Sequence, residues 1–103
     1  MAYSIEWAEA ALLSVAEAAE YIAKDSPSYA AALIANAERA ANSLVQFPER
    51  GRVVPEYHET SVRELFVGRY RLIYRIAGNT VTVVAFVHGA RDLAALIPDI
   101  EQS

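Results

Sequence analysis

Apolar and polar residues alternate at the start of the chain. Tyr3, Ile5 and Trp7 are separated by Ser4 and Glu6. Strict alternation is typical of a strand with one buried face. We therefore predict a short strand over residues 3–7.

The following forty residues have a helical period instead. Their spacing predicts one helix over residues 9–24 and a second that begins with Ser26 as N-cap and Pro27 at the first position. Phe47-Pro48 is predicted to close the second helix. The predicted inner stripes are Leu12, Val15, Ala19 and Ile22 in the first helix, and Ala30, Leu33, Ile34, Ala37, Ala41 and Leu44 in the second. The two helices should form a hairpin.

After a loop over residues 48–60 the period returns to two. Three strands are predicted, beginning near Val62, at Arg69 and at Thr80, and their turns fall at Gly68-Arg69 and Gly78-Asn79. The last strand is rich in β-branched residues, which predicts a central position in the sheet. The three strands form an antiparallel meander.

The middle strand of the meander carries a basic pattern. Tyr70, Leu72, Tyr74 and Ile76 are predicted to face the helices. Because side chains alternate across a strand, this sends Arg69, Arg71 and Arg75 to the other face of the sheet, which we expect to be open.

The end of the chain predicts a brief helix. Asp92 can cap a helix that reaches Leu96 before Pro98. The element order predicts an α+β fold: an N-terminal strand, an α-helical hairpin packed on an antiparallel β-meander, and a short C-terminal helix. With 103 residues, we expect one domain over residues 1–103.

Charge is separated along the chain. Residues 1–49 hold seven acids against two basic residues, whereas residues 50–91 hold seven arginines against three glutamates. The whole chain has a net charge of −4. This separation predicts a basic surface on an acidic protein, which suits an anionic target or an acidic partner.

Several classes of site are disfavoured. The chain has no cysteine, and its two histidines, His58 and His88, stand thirty residues apart without a metal-ligand spacing. We expect neither a metal nor a cofactor. The N-terminus lacks a secretory signal and no stretch is long and apolar enough to span a membrane, so we expect a soluble, cytoplasmic protein.

Two stretches resemble the RelE/ParE toxin family. They are residues 62–75, Val-Arg-Glu-Leu-Phe-Val-Gly-Arg-Tyr-Arg-Leu-Ile-Tyr-Arg, and residues 87–93, Val-His-Gly-Ala-Arg-Asp-Leu. Trp7 with Ala11, Tyr21-Ile22, Ser26-Pro27 and residues 47–52 are similar too. The resemblance implies a small toxin that a cognate antitoxin holds inactive in a hetero-oligomeric complex. Relatives of the ParE kind poison DNA gyrase, and relatives of the RelE kind cut messenger RNA on the ribosome.

The choice between these activities depends on proton-transfer groups. Cleavage through the 2′-hydroxyl needs a base and an acid, and arginine is a poor base because it stays protonated. Lys24 is the only lysine, and residues 92–103 contain no Tyr, Phe or His. A nuclease would have to use His88, with Glu49, Glu56 or Glu59 as its partner and Arg63 or Arg71 on the phosphate.

The sequence therefore favours a binding protein of the ParE kind that inhibits gyrase, with a ribosome-dependent endoribonuclease of the RelE kind as the alternative. The residues predicted to contact the target or the antitoxin are Arg63, Arg69, Arg71, Arg75 and Arg91. A simple nucleic-acid-binding module is a weaker interpretation, because the chain is acidic and Tyr70 and Tyr74 are predicted to face the helices. The alternative is that these arginines have only a structural role. Arg63 would then pair with a nearby glutamate, and Arg91 with Asp92, as ordinary surface ion pairs.

Overall fold

The computed structural model describes residues 2–91 and 93–101. The elements in chain order are β1 (Ser4–Trp7), α1 (Glu9–Ala23), α2 (Pro27–Ser43), β2 (Arg52–Val53), β3 (Val62–Val67), β4 (Tyr70–Ala77), β5 (Thr80–His88), a 3-10 turn (Leu93–Leu96) and α3 (Ile97–Glu101). The α+β class, the helical hairpin and the meander are confirmed. The short strand β2 lies inside the segment that the sequence predicted to be loop.

The sheet has the strand order β1-β5-β4-β3-β2. β2, β3, β4 and β5 pair antiparallel, and β1 lies parallel to β5, with Ser4 opposite Thr80 and Trp7 opposite Val83. The N-terminal strand thus makes β5 an interior strand over residues 80–83, in agreement with its β-branched composition.

Local residues define the helical hairpin. The Ser26 hydroxyl accepts a hydrogen bond from the backbone N–H of Tyr29 at 3.2 Å, and Pro27 occupies the first turn, so the predicted N-cap is confirmed. The predicted closure at Phe47 was wrong. The helix ends at Ser43, where the N–H of Leu44 turns back to the carbonyls of the preceding turn.

The main core lies between the hairpin and the sheet. The predicted inward side of β4 is confirmed, because Tyr70, Leu72, Tyr74 and Ile76 all pack in this core. Two of the predicted stripe residues are wrong: Leu12 is 52% exposed and Ile34 is 39% exposed. Ala11, with Val15 and Ala19, occupies the inner line of α1 instead. Alanines let α1 come close to its neighbours, and this leaves the larger side chains outside.

The other face of the sheet is covered, so the predicted open face was wrong. A second cluster of buried residues lies there: Val54, Val62, Ile73, Val84, Val87, Leu93 and Ile100. Its members come from the sheet, from the segment after β2 and from the C-terminal segment. Apolar residues on both sides of β4 and β5 required two covering layers, and sequence alternation indicated only one.

The C-terminal segment is longer than predicted. The 3-10 turn continues through Pro98 into α3, where the proline stands in the first turn and its missing N–H has no intrahelical partner to lose. Leu93 and Ile100 are buried in the second cluster. Asp92, the predicted cap, lies outside the described residues.

A register shift in the sheet sets the side chains at its end. Tyr74 pairs with Val83, whereas Ile73 pairs with Ala85, so Val84 is an extra residue in β5. Because of this extra residue, the side chains after Val84 lie on the face opposite to the one that strict alternation along β5 would give them. It places His88 opposite Tyr70, on the helix side of the sheet.

One buried hydrogen bond joins the loop after α2 to the core. The Tyr74 hydroxyl, whose pKa is raised by burial, accepts from the backbone N–H of Gly51 at 3.0 Å. A Cβ at Gly51 would lie 2.5 Å from the Glu64 carbonyl oxygen and 2.6 Å from the Tyr74 hydroxyl. Glycine is therefore required for this close approach.

Tyr74→Phe should lower the free energy of unfolding by about 1–3 kcal/mol, because it leaves the buried Gly51 N–H without a partner. Urea unfolding followed by circular dichroism measures the change. Tyr29→Phe, at an exposed position, is the matched control and should change stability by less than about 0.5 kcal/mol. Equal values for the two variants would contradict a structural role for the Tyr74 hydroxyl.

Candidate functional site

Arg71 is a buried ion-pair residue and not a surface cation. Its Nη1 and Nη2 atoms donate to the Glu56 carboxylate at 3.0 and 2.9 Å, and its Nε donates to Glu64 at 2.5 Å. Glu64 is itself buried and also accepts from Arg52. The prediction of an exposed Arg71 was wrong, since the segment that follows β2 brings Glu56 over the sheet.

These contacts hold both partners in their charged forms. The hydrogen bonds that Arg71 donates to Glu56, and then those to Glu64, raise the pKa of Arg71 against the opposing effect of burial. The hydrogen bond from Arg71 lowers the pKa of Glu56. The charge of Arg71 is therefore neutralised within the chain, and little of it remains for an external phosphate.

Arg75 is also engaged on the covered face. Its Nη2 donates to the Ile100 carbonyl at 3.0 Å, its Nη1 lies 3.9 Å from the Glu59 carboxylate, and its guanidinium stands 5.9 Å from the centre of the Tyr57 ring. The buried Nε makes no hydrogen bond within the described part of the chain. Arg75 thus fastens the C-terminal segment, and its predicted place on an open face was wrong.

Arg63 lies on the helix side of β3 and holds the loop between α2 and β2. Its guanidinium donates to the carbonyls of Thr60, Glu49 and Gly51 at 2.9, 3.2 and 3.0 Å. The Glu49 carboxylate lies 3.9 Å away, as the structural interpretation of this arginine predicted. Arg63 is a backbone clamp, on a different face from Arg71.

Arg69 and Arg91 are exposed together at one end of the sheet. The Arg69 carbonyl accepts from the Gly89 N–H at 2.8 Å, and the Arg91 N–H donates to the His88 carbonyl at 3.0 Å. The turn between β3 and β4 therefore lies against the end of β5. We call the surface formed by Arg69, His88 and Arg91 the basic end.

His88 bonds the loop that follows β5. Its Nδ1 accepts from the Ala90 N–H at 3.2 Å, and its ring stands edge-on to Tyr70 at 5.5 Å. The predicted structural interpretation, a histidine that bonds the loop at a strand end, is confirmed. His58 is exposed in the loop, as predicted, at a backbone φ of 61°.

The residues suggested for a nuclease do not converge. The three glutamates proposed as partners of His88 lie beside arginines instead: Glu49 beside Arg63, Glu56 beside Arg71 and Glu59 beside Arg75. Arg63 pairs opposite Tyr74 and His88 opposite Tyr70, which is a separation of about 13 Å along β4 at ~3.3 Å per residue.

Arg52 and Phe66 form an exposed pair that the sequence did not indicate. The Arg52 guanidinium stands 5.2 Å from the centre of the Phe66 ring while it also donates to Glu64. Phe66 is exposed although it lies in a strand. A cation–π contact at an exposed site contributes about 0.5–1 kcal/mol. Recognising this pair required the register of β2 on β3.

An apolar groove lies between α1 and α2. Its volume is ≈ 450 Å³. It is lined by Trp7, Leu12, Val15, Ala16, Ile34, Ala37, Glu38 and Asn42. The signal for it was present, because α1 carries more apolar residues than a single inner stripe can use.

The described residues include no group of three or more His, Asp or Glu side chains that could hold a metal ion. None of the helices among these residues has the length and hydropathy needed to cross a bilayer.

Arg71→Met should destabilise the fold by roughly 3 kcal/mol, because it leaves the buried Glu64 carboxylate with only Arg52. The double variant Arg71→Met/Glu64→Met should recover most of this loss, since it removes the stranded charge as well. Arg69→Met, at an exposed position, is the control. Denaturant unfolding of the four proteins provides the measurement, and a single variant as stable as Arg69→Met would contradict the assignment.

Comparison with known proteins gives a consistent result. Residues 5–93 match the family model described as the ParE toxin of the type II toxin–antitoxin system parDE. The chain is 33% identical over 88 residues to Toxin RelE2 of Caulobacter vibrioides, a match that covers 84% of this chain and 96% of that protein.

Two solved structures share the fold. The chromosomal ParDE toxin–antitoxin system from P. aeruginosa superposes with a TM-score of 0.68 at 17% identity, over 84% of this chain and 95% of that one. The toxin–antitoxin complex RelBE2 from Mycobacterium tuberculosis gives a TM-score of 0.56 at 25% identity, over 85% and 99%. On the extent of the family match, the chain belongs to the ParE toxin family of type II toxin–antitoxin systems, within the wider RelE/ParE group.

Proposed function

We propose that this toxin acts in the cytoplasm by binding DNA gyrase, and that a cognate antitoxin neutralises it by occupying the groove between α1 and α2. The observation that carries the first part is the internal neutralisation of Arg71 by Glu56 and Glu64. A phosphate-cleaving site needs that type of cation to be free over the scissile group.

The proton-transfer chemistry supports the same choice. His88 accepts a hydrogen bond from the loop, and each glutamate that could orient it lies beside an arginine. General acid–base catalysis requires donor and acceptor within hydrogen-bonding reach of the reacting atoms. A binding toxin has no such requirement, so the arrangement favours inhibition by contact.

The basic end is the surface that we assign to the target. Arg69 and Arg91 are exposed there, whereas Arg63, Arg71 and Arg75 are used within the fold. Exposed cations on an otherwise acidic chain attract an acidic patch and raise the rate of association. Arg52, with Phe66, adds an exposed cation–π pair on β2 and β3.

The antitoxin belongs to the second surface. The solved relatives are toxin–antitoxin complexes, which supports a partner protein for this chain. Leu12 and Ile34 expose apolar area at the groove that a partner helix would remove from water. Separate surfaces for the target and the antitoxin make the two activities separable by mutation.

Purified protein should inhibit DNA supercoiling by gyrase, and the double variant Arg69→Glu/Arg91→Glu should raise the half-inhibitory concentration by about tenfold, or roughly 1.4 kcal/mol. Lys24→Glu/Arg39→Glu carries the same change of charge on the hairpin and is the matched control. Primer extension on translated messenger is run beside the supercoiling assay. Cut messenger with unaffected gyrase would reject gyrase as the target and support a RelE-like endoribonuclease.

His88→Ala should leave toxicity within a few fold of the native chain, because the side chain serves a loop hydrogen bond and ring packing. Growth after induction is the readout, and circular dichroism checks the fold. Toxicity abolished in a folded His88→Ala protein that still binds its antitoxin would instead indicate acid–base catalysis.

A further inference from the structure

The groove between α1 and α2 has two unlike walls. The α1 wall, with Leu12 and Ala16, is apolar. The α2 wall runs Ile34, Glu38, Asn42, three residues at four-residue spacing that share one side of the helix. The Glu38 carboxylate therefore lies next to Ile34 on its own wall and faces the apolar α1 wall across the groove.

Glu38 has no counter-ion in the described part of the chain. The ion pairs formed there involve Glu49, Glu56, Glu59 and Glu64. The neighbouring cation, Arg39, donates to the Asn36 side chain instead. The Glu38 carboxylate is open to solvent while the groove is empty, because the residue is exposed.

A partner that fills the groove must deal with this carboxylate. Covering it with an apolar side chain removes its water and gives nothing in return, which is unfavourable for a charged group. A cation in the same place forms a charge-assisted hydrogen bond and keeps the apolar contacts with Leu12 and Ile34. The groove thus selects against acidic and purely apolar helices.

We propose that Glu38 is the specificity-determining residue of this groove, and that its occupant is an amphipathic helix of the antitoxin that sets a lysine or arginine against the Glu38 carboxylate. The inference rests on the proposed function, which supplies the antitoxin. The cation lies about one helical turn from the side chain that contacts Ile34, because Ile34 and Glu38 are themselves one turn apart.

Charge disfavours a second copy of this chain as the occupant. The hairpin surface carries Glu9, Glu17, Glu20 and Glu38 against Lys24 and Arg39. Two hairpins packed groove to groove would bring like charges together, which is destabilising. A basic helix has the complementary charge, and the apolar part of the groove accommodates its other face.

The fluorescence of Trp7 reports binding in the groove, since Trp7 is the single tryptophan and it lines the groove. The probes are three otherwise identical amphipathic helical peptides, with Arg, Gln or Glu at every turn along one flank of a leucine stripe. The native chain, Glu38→Gln and Glu38→Arg are each titrated at about 0.15 M salt, where distant charges are screened. Glu20→Gln, which removes an exposed acid from α1 outside the groove, is the matched control.

The Arg peptide should bind the native chain and Glu20→Gln at least about tenfold more tightly than the Glu peptide. This ratio should fall to about twofold in Glu38→Gln and reverse in Glu38→Arg. An unchanged ratio in Glu38→Gln would overturn the proposal. If Trp7 fluorescence changes with protein concentration in the absence of peptide, and sedimentation shows dimers, the proposal is overturned in favour of a second copy of this chain.

The product of the adjacent reading frame separates this inference from the proposed function. If that protein binds the native chain and Glu38→Arg equally well, the specificity role of Glu38 is rejected, and the proposal that an antitoxin binds this chain is retained. If it does not bind the native chain at all, the antitoxin part of the proposed function fails, whatever the peptides do. Weaker binding by Glu38→Arg, with gyrase inhibition retained, supports both.

Discussion

The buried pair of Arg71 and Glu64 is the interaction on which the non-helical side of this toxin depends. Glu64 alone would be an uncompensated charge inside the protein, and Arg71 alone would be the same. Their pairing, extended by Glu56, draws the segment after β2 over the sheet. That segment supplies Val54 and Tyr57 to the second cluster, where the C-terminal segment also packs. An ion pair thereby positions an apolar layer.

Contacts within the chain also decide which arginines can act outside the molecule. Of the five arginines that the sequence marked for binding, Arg63, Arg71 and Arg75 clamp carbonyls and carboxylates of their own chain. Charge density along a sequence therefore overstates the free positive surface. In this toxin the exposed remainder, Arg69 and Arg91, lies where the β3–β4 turn meets the end of β5. The contact there is close, since a Cβ at Gly89 would lie 3.2 Å from the Arg69 carbonyl oxygen.

The thin core of the hairpin has the opposite consequence. Alanines at positions 11, 19, 30, 37 and 41 bring the helices close and bury little area per residue. Larger apolar side chains such as Leu12, Leu13 and Ile34 are left at the surface. This exposed apolar area suits a protein of a toxin–antitoxin system, because a partner can bury it without any change in the fold. The acidic hairpin and the basic end then differ in both charge and hydropathy.

The sequence by itself determined the elements and their order. The Ser26-Pro27 helix start, the glycine turns and the inward set on β4 follow from local sterics and from periodicity, which act within a few residues. Resemblance in residues 62–75 and 87–93 determined the family.

Only the tertiary structure decided that the second sheet face is covered, that Leu12 faces solvent while Ala11 is buried, and that Arg71 is neutralised. These outcomes depend on contacts between residues far apart in the chain, such as Glu56 with Arg71 and Arg75 with Ile100, and on the bulge at Val84, which sets the face of His88. Local pattern carries no information on such pairings, because the partner of a side chain is fixed by packing and not by its neighbours in sequence.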